Sequence, residues 1–180
     1  MTKIKSYKLI FVLIILTATF LLLNCQKPFI ITIPLNENLL GSFCSIGEIV
    51  DDLPDDIRPY DKPTGENIEY FRNQLGSYLA ETKIFKSVKL DNPIADYKVS
   101  CYLLRYNQSD SFEEFKTTAL VNTALITVGI ELINIRTNKI VFGLNLKEDV
   151  SYWASLKGKL FEYTAGHFAA ALKKEMKKYR

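Results

Sequence analysis

The sequence predicts an α+β fold: a two-layer sandwich in which a mainly antiparallel sheet of four to five strands carries two helices on one face. Three observations predict it. Short segments in which apolar and polar residues alternate, typical of half-buried strands, follow one another through the middle of the chain. Two longer segments carry apolar residues at helical spacing, one before and one after most of these strands. The 180 residues, 48% hydrophobic and 24% charged, suit a single globular domain behind a leader.

The first predicted elements are a strand, a long loop and a helix. Every second residue of Phe29–Leu35 is apolar, which indicates a strand. Residues 36–65 have no clear period and contain several prolines and glycines, so we interpret them as a long loop with at most a short strand near residues 43–50. Thr64 is expected to cap a helix that ends near Thr82. One face of this helix carries Ile68, Phe71, Leu75, Tyr78 and Leu79.

Four more strands and a second helix complete the predicted domain. Residues 84–90 and 96–106 form the next two strands. The strongest alternation, over residues 123–135, predicts a strand that passes through a tight turn into another at 140–146, and such a pair forms a hairpin. A helix over residues 159–178 ends the domain, with its apolar residues on one face.

The N-terminus has the organisation of a bacterial export signal. Three lysines precede an uncharged apolar segment, Leu9–Leu23, whose 15 residues are fewer than the roughly 20 that span a membrane. The segment ends in Leu22-Leu23-Asn24-Cys25, which resembles the lipobox of bacterial lipoproteins, with Asn24 where glycine, alanine or serine is usual. The alternative is an uncleaved signal anchor. The expected divisions are a signal peptide, a lipidated N-terminus with a short tether, and one domain, at residues 1–24, 25–28 and 29–180.

Processing at the lipobox would make Cys25 the first residue and attach acyl and diacylglycerol chains to it, and this covalent lipid is the only cofactor expected. Each buried methylene contributes about 0.8 kcal/mol, so two or more chains hold a protein on a membrane essentially permanently. Gln26 stands where enteric-type sorting places the aspartate that retains lipoproteins in the inner membrane. That resemblance implies the outer membrane, with the domain facing the periplasm.

The formal net charge of +3 belongs to the leader, because residues 1–24 hold three lysines and no acid and leave 20 basic against 20 acidic residues. A neutral domain has no overall field to hold phosphate backbones, which disfavours nucleic acid as a partner. Lysines gather at the end of the last helix, where they complement its dipole; anionic headgroups are an alternative contact for them.

Five residues are candidates for contact with a protein partner. An acidic stretch is interpreted either as a solvated loop or as a contact for a basic surface, and an aromatic cluster either as core or as a contact patch. The stretch lacks the ligand spacing of an EF-hand, so no calcium site is predicted. The candidates are Asp51, Asp52, Asp55, Asp56 and Trp153.

The remaining reactive residues predict no enzyme. Cys44 and Cys101 form either a disulfide or two buried free thiols in an oxidising compartment. A single histidine and the absence of a Cys-x-x-Cys pair disfavour a metal site. His167 lies on the flank of the last helix, and the sequence shows neither a Ser–His–Asp set nor a glycine-rich phosphate loop. No catalytic residue and no small-molecule substrate are therefore predicted.

Three motifs resemble a known group of proteins. The helix over residues 67–79 runs into Ile84–Val88, Ala95-Asp96-Tyr97 opens a strand, and Arg136–Val141 makes a strand-ending turn. Together with the lipobox they look like the small envelope lipoproteins that assist transport, which include the auxiliary lipoproteins of ABC-type transporters and, more distantly, the LPS-assembly lipoprotein. The resemblance covers about residues 66–145. It implies a protein-binding role and does not name the partner.

Three functions are therefore weighed. The first is a non-enzymatic accessory subunit that binds an envelope transport or assembly machine. The second is a carrier of lipid or another hydrophobic ligand, which needs an apolar cavity between helices and sheet. The third is a lipoprotein exposed on the cell surface.

Overall fold

The computed structural model describes residues 29–53, 63–107, 123–151 and 158–179. Within these ranges the chain forms strands, two long helices and a final 3-10 turn. In chain order they are β1 Phe29–Ile33, β2 Phe43–Asp51, α1 Gly65–Glu81, β3 Ser87–Leu90, β4 Tyr97–Asn107, β5 Thr123–Asn134, β6 Lys139–Ser151, α2 Lys159–Glu175 and the 3-10 turn Met176–Tyr179.

The strands form one mixed sheet in the order β1-β6-β5-β4-β2-β3. Neighbouring strands are antiparallel from β1 to β4, whereas β2 runs parallel to both β3 and β4. The α+β prediction is confirmed, but its strand number is wrong: the described residues form six strands rather than four to five. The sixth is β2, Phe43–Asp51, which lies within the predicted long loop at residues 36–65, close to residues 43–50 where the pattern allows at most a short strand.

The sequence pattern of β2 is weak because this strand is covered on both faces. Cys44–Gly47 are all buried, so apolar and polar residues do not alternate there. Helix α1 contacts β2 on the core side. On the opposite side the connection from β3 to β4 crosses the strand, and the Asn92 backbone N–H donates a 2.9 Å hydrogen bond to the Ser45 hydroxyl. A strand buried in this way needs small polar residues that resemble a loop in the sequence.

The two helices lie side by side on one face of the sheet, as predicted. Gly158 and Gly166 of the α2 segment lie against Tyr70 and Tyr78 of α1, and the equal spacing of both pairs shows that the helices run in the same direction. Helix α1 contacts β2 and β3, and α2 contacts β5 and β6. The sheet residues facing them include a fully buried row on β5: Ala124, Ile126, Val128, Ile130 and Leu132.

The two ends of the sheet differ. We call the end of the sheet towards which the first residue of β1 points the entry end; strands β2, β4 and β6 finish there, and both helices begin there. At the turn end β5 passes to β6 through residues 135–138, strands β2 and β4 begin, and both helices finish. Each gap between the described ranges joins elements that meet the entry end. The connections at the turn end are short.

Local signals place most element boundaries. The predicted cap is confirmed, because the Thr64 hydroxyl accepts a 3.2 Å hydrogen bond from the Asn67 backbone N–H, and α1 has its C-cap at Thr82. The hairpin of β5 and β6 is confirmed. β6 runs five residues beyond the predicted end at Leu146, because Glu148 occupies a core-facing position where the pattern requires an apolar residue.

Candidate functional site

The candidate site is a pocket of about 390 Å³ at the turn end. Its walls come from three parts of the chain that are distant in sequence: the segment before β2, the start of β4, and the end of β5 with its turn. The lining residues are Leu40, Gly41, Ser42, Ala95, Asp96, Tyr97, Asn134, Ile135 and Arg136.

A hydrogen-bond cluster fixes one wall of this pocket. The Glu37 carboxylate accepts a bond of 2.8 Å from the Tyr97 hydroxyl and one of 2.9 Å from the Asn134 amide. Burial and, to a smaller extent, the Glu37 carboxylate raise the pKa of Tyr97 to about 12. The hydroxyl therefore stays protonated and donates the hydrogen bond to Glu37. The Asn134 amide oxygen accepts from the backbone N–H groups of Arg136 and Thr137. The cluster therefore holds the turn in place, and its polar groups form hydrogen bonds with one another within the pocket wall.

Asp96 joins the three parts of the chain that meet at the pocket. Its carboxylate accepts a 2.9 Å hydrogen bond from the Phe43 backbone N–H, and its own N–H donates to the Phe43 carbonyl at 2.9 Å. Its carbonyl accepts from the Ile135 N–H at 2.9 Å. Because backbone bonds set these positions, the pocket has a fixed shape.

Large apolar side chains stand exposed around the pocket. Leu40 and Ile135, which line it, are each 45% exposed, and Ile94, next to the lining residue Ala95, is 78% exposed. Scattered single hydrophobic residues need no explanation, but three beside one pocket form a surface suited to contact with another molecule. The arrangement suits the binding of another molecule.

The two cysteines are free and buried. Cys44 on β2 stands opposite Tyr97, whereas Cys101 lies four residues further along β4, about 13 Å away at the rise of a strand. Disulfides need Cα atoms within about 7 Å, so the bridge that the sequence leaves open does not form in this fold. Burial raises the pKa of the Cys44 thiol to about 12 and that of Cys101 further, so both stay protonated.

The predicted partner contacts do not lie at this pocket. Asp51 and Asp52 are exposed at the entry end, where β2 finishes, and the Asp51 carboxylate accepts from the Leu53 backbone N–H at 3.1 Å. The remaining candidates, Asp55, Asp56 and Trp153, lie outside the described residues, as does the lipidation residue Cys25. Sequence reasoning missed the pocket because its walls meet only through the parallel pairing of β2 with β4.

His167 has a partner that the sequence does not reveal. Its Nδ1 contacts the carboxylate of Glu148, which is 6% exposed on the core face of β6. Burial raises the pKa of Glu148, and the nearby His167 opposes that rise. The pair joins α2 to the sheet. We interpret it as structural, because it lies outside the candidate pocket.

Among the described residues, large side chains pack between the helices and the sheet. Phe71, Phe142 and Phe168 are almost fully buried there. The ring of Phe161 lies 5.5 Å from that of Phe71 and 6.0 Å from that of Tyr106, measured between centroids. This packing disfavours the carrier hypothesis, which requires an apolar cavity at the same place.

The described ranges contain neither a metal-binding cluster nor a membrane-spanning helix. No cluster of three or more histidine, cysteine or acidic residues there has the arrangement of a metal site. No helix in the same ranges has the length and apolar character needed to cross a membrane.

No family model matches the chain, and no curated protein matches its sequence. Among solved structures, a Xanthomonas campestris protein of the DUF330 family superposes with a TM-score of 0.56 at 9% identity, over 84% of this chain and 97% of that one. The PelC dodecamer from Paraburkholderia phytofirmans gives a TM-score of 0.53 at 12% identity, over 77% of this chain and 96% of that one. The chain shares their fold. At such identities the likeness concerns the fold alone.

Proposed function

We propose that this chain is a lipid-anchored lipoprotein of the bacterial envelope, which acts as a non-enzymatic accessory subunit and binds a protein of a transport or assembly machine through the turn end. The pocket and its exposed apolar rim supply the binding surface. The lipobox supports localisation to the envelope, and the proposed location is the outer membrane with the domain facing the periplasm. The resemblance to transporter-associated lipoproteins supports the class of partner.

The position of the pocket relative to β1 carries this proposal. Cys25 precedes Phe29 by four residues, which reach at most about 14 Å when extended. Phe29 pairs with Leu146, and β6 continues five residues further to Ser151, which is about 16 Å at the rise of a strand. A lipid on Cys25 would therefore hold the entry end at the headgroups. The turn end would point away from the membrane, where a partner can reach it.

The anchor is tested by labelling cells with an alkyne analogue of palmitate. We expect label on the wild-type chain and none on a Cys25→Ala variant, which should also fail to pellet with the envelope. Cys44→Ala is the matched control and should label fully, because that thiol is buried within the domain. An unlabelled and unprocessed wild-type chain would refute the proposed address.

The docking surface is tested by a photo-crosslinking amino acid placed at two positions in cells. At Ile135, on the pocket rim, we expect a discrete adduct with one envelope protein of a transport or assembly system. At Lys147, exposed near the entry end, we expect none. The adduct should disappear when Leu40→Asp is added on the other side of the pocket. An adduct at Lys147 alone would place the contact elsewhere and overturn this assignment.

Exposure on the cell surface is a rival function. The exposed rim of Leu40, Ile94 and Ile135 would serve a partner on either side of the outer membrane. Protease treatment of intact cells separates the two cases. A periplasm-facing domain should survive until the outer membrane is permeabilised, whereas immediate cleavage would favour the rival.

A further inference from the structure

We infer that the turn end binds an acidic segment of its protein partner, an inference that rests on the proposed function and names the partner's chemistry. Basic side chains from several elements collect there. Lys83 and Lys86 follow α1, Arg136 and Lys139 flank the β5–β6 turn, and four lysines occupy the end of α2 and the final turn. All eight are exposed, and they outnumber the exposed carboxylates described at this end, which are Glu81 and Asp96.

Helix capping explains only part of this charge. Lysines in the last turn of α2 complement the helix dipole, which is a sufficient local reason for them. Arg136 and Lys139 belong to a hairpin, where no helix needs them. In the described ranges, no ion pair involves Lys83, Arg136 or Lys139, whereas Lys178 pairs with Glu175. The unpaired cations therefore remain available to a partner.

The basic residues and the pocket form one surface. Arg136 lines the pocket itself. The Tyr179 hydroxyl, at the end of the lysine-rich turn, donates a 3.2 Å hydrogen bond to the Leu35 carbonyl. Two residues further on, Glu37 accepts from Tyr97 and Asn134 in the pocket wall. The segment 35–37 therefore joins the lysine cluster to the apolar rim.

The entry end has the opposite charge. Its exposed carboxylates in the described ranges outnumber its exposed cationic side chains, which are Arg105, Lys147 and Lys159. The carboxylates are Asp51, Asp52, Glu66, Glu69 and Asp149. A domain with charge separated along its long axis orients a charged partner before contact and speeds the encounter. An acidic partner is directed to the turn end.

An acidic protein segment suits the turn end better than anionic lipid does. β6 has 13 residues and spans about 43 Å, so an upright domain holds its turn end far from its own headgroups. The fixed pocket and the exposed Leu40, Ile94 and Ile135 also offer contacts for apolar side chains. The expected ligand therefore combines carboxylates with at least one apolar side chain that enters the pocket.

The experiment uses the full-length lipidated chain in neutral detergent and a fluorescent peptide of alternating glutamate and leucine. Binding is measured by fluorescence anisotropy, with a glutamine–leucine peptide for comparison. We expect the glutamate peptide to bind at least tenfold more tightly and to weaken as salt is raised. The triple variant Lys83→Glu, Arg136→Glu, Lys139→Glu should lose that tenfold preference. Arg105→Glu with Lys147→Glu is the matched control and should keep it.

Each result has a defined meaning. Circular dichroism must show that both variants fold, and a single Arg136→Gln replaces the triple variant where it does not. If both peptides bind with equal affinity, or if both variants keep the same preference for the glutamate peptide, the proposal of an acidic partner is overturned. Binding of phosphatidylglycerol vesicles by the same cations without preference between peptides also overturns it. If the Ile135 adduct persists in the triple variant, docking stands and only its acidic chemistry fails; if the wild type gives peptide binding and no adduct, the accessory function fails.

Discussion

Glu148 shows how a single residue can hide an element boundary. A carboxyl on the core face of a strand contradicts the alternating pattern, and the structure explains it through His167. Burial is the largest influence on this carboxyl and raises its pKa in the folded protein. Because neither the burial nor the contact with α2 can be read from neighbouring residues, the sequence predicts the end of β6 at Leu146.

The pH dependence of stability tests this account. Because the folded-state pKa of Glu148 lies above its unfolded value of about 4.3, its contribution to stability is complete at lower pH and is lost as pH rises through the folded pKa. Glu148→Gln cannot ionise, so we expect its stability to depend less on pH above about 4.3 and no loss of stability at pH 7. Urea unfolding at several pH values measures both the pH dependence of stability and the stability at pH 7.

His167 provides the matched comparison. His167→Ala leaves the buried Glu148 carboxylate without this contact and should cost about 1–2 kcal/mol at pH 7 and less at pH 4. Lys174→Ala, on an exposed position of the same helix, should change little. A Glu148→Gln variant that is strongly destabilised at every pH would instead mean that the ionised pair is the stable form.

At the scale of elements, local pattern predicts well where one face of an element is solvated. The helix over residues 65–81 and the β5–β6 hairpin have such faces, and capping or turn residues mark their ends. Segments that depend on distant partners are not predictable in this way. β2 lies between parallel neighbours, and the pocket wall around Asp96 forms only after β2 and β4 pair. This is why the fold class is predicted and the candidate site is missed.

The junction of the two helices gives a prediction at this scale. Gly158, just before α2, has a φ of +71°, and an added Cβ would lie 2.7 Å from the Tyr70 ring of α1. Gly158→Ala should therefore cost about 1–3 kcal/mol through backbone strain and the collision. Gly65→Ala is the control, because no atom lies within 4 Å of its added Cβ. Urea unfolding should separate the two, and equal stabilities would contradict this geometry.

For the whole molecule, the opposition of the two ends is the central feature. Helices α1 and α2 run in the same direction, and the described elements on either side of each gap, such as β4 and β5, finish or begin at the entry end. The pocket, its apolar rim and the basic residues meet the turn end. A single export and lipidation signal at the N-terminus would then orient the entire binding surface.

Fluorescent labels at the two ends test this orientation. Single cysteines replace Asp149 near the entry end and Thr137 at the turn end, both exposed. Cys44 and Cys101 are buried and should take no label in the folded wild type. With a quencher on the lipid headgroups, we expect strong quenching at residue 149 and little at residue 137, because β6 separates them by about 40 Å. Equal quenching would mean that the domain lies flat.

The pairing of β1 with β6 has a consequence for the order of folding. The pairings of β4 with β5 and of β5 with β6 join strands that are near in sequence, whereas the pairing of β1 with β6 joins residues more than 100 positions apart. Loop closure over such a separation makes this pairing late. In a secreted, lipidated chain the N-terminus emerges first. β1 would then be anchored close to the bilayer before its pairing partner β6 has emerged. Formation of the β1–β6 pairing would then complete the domain.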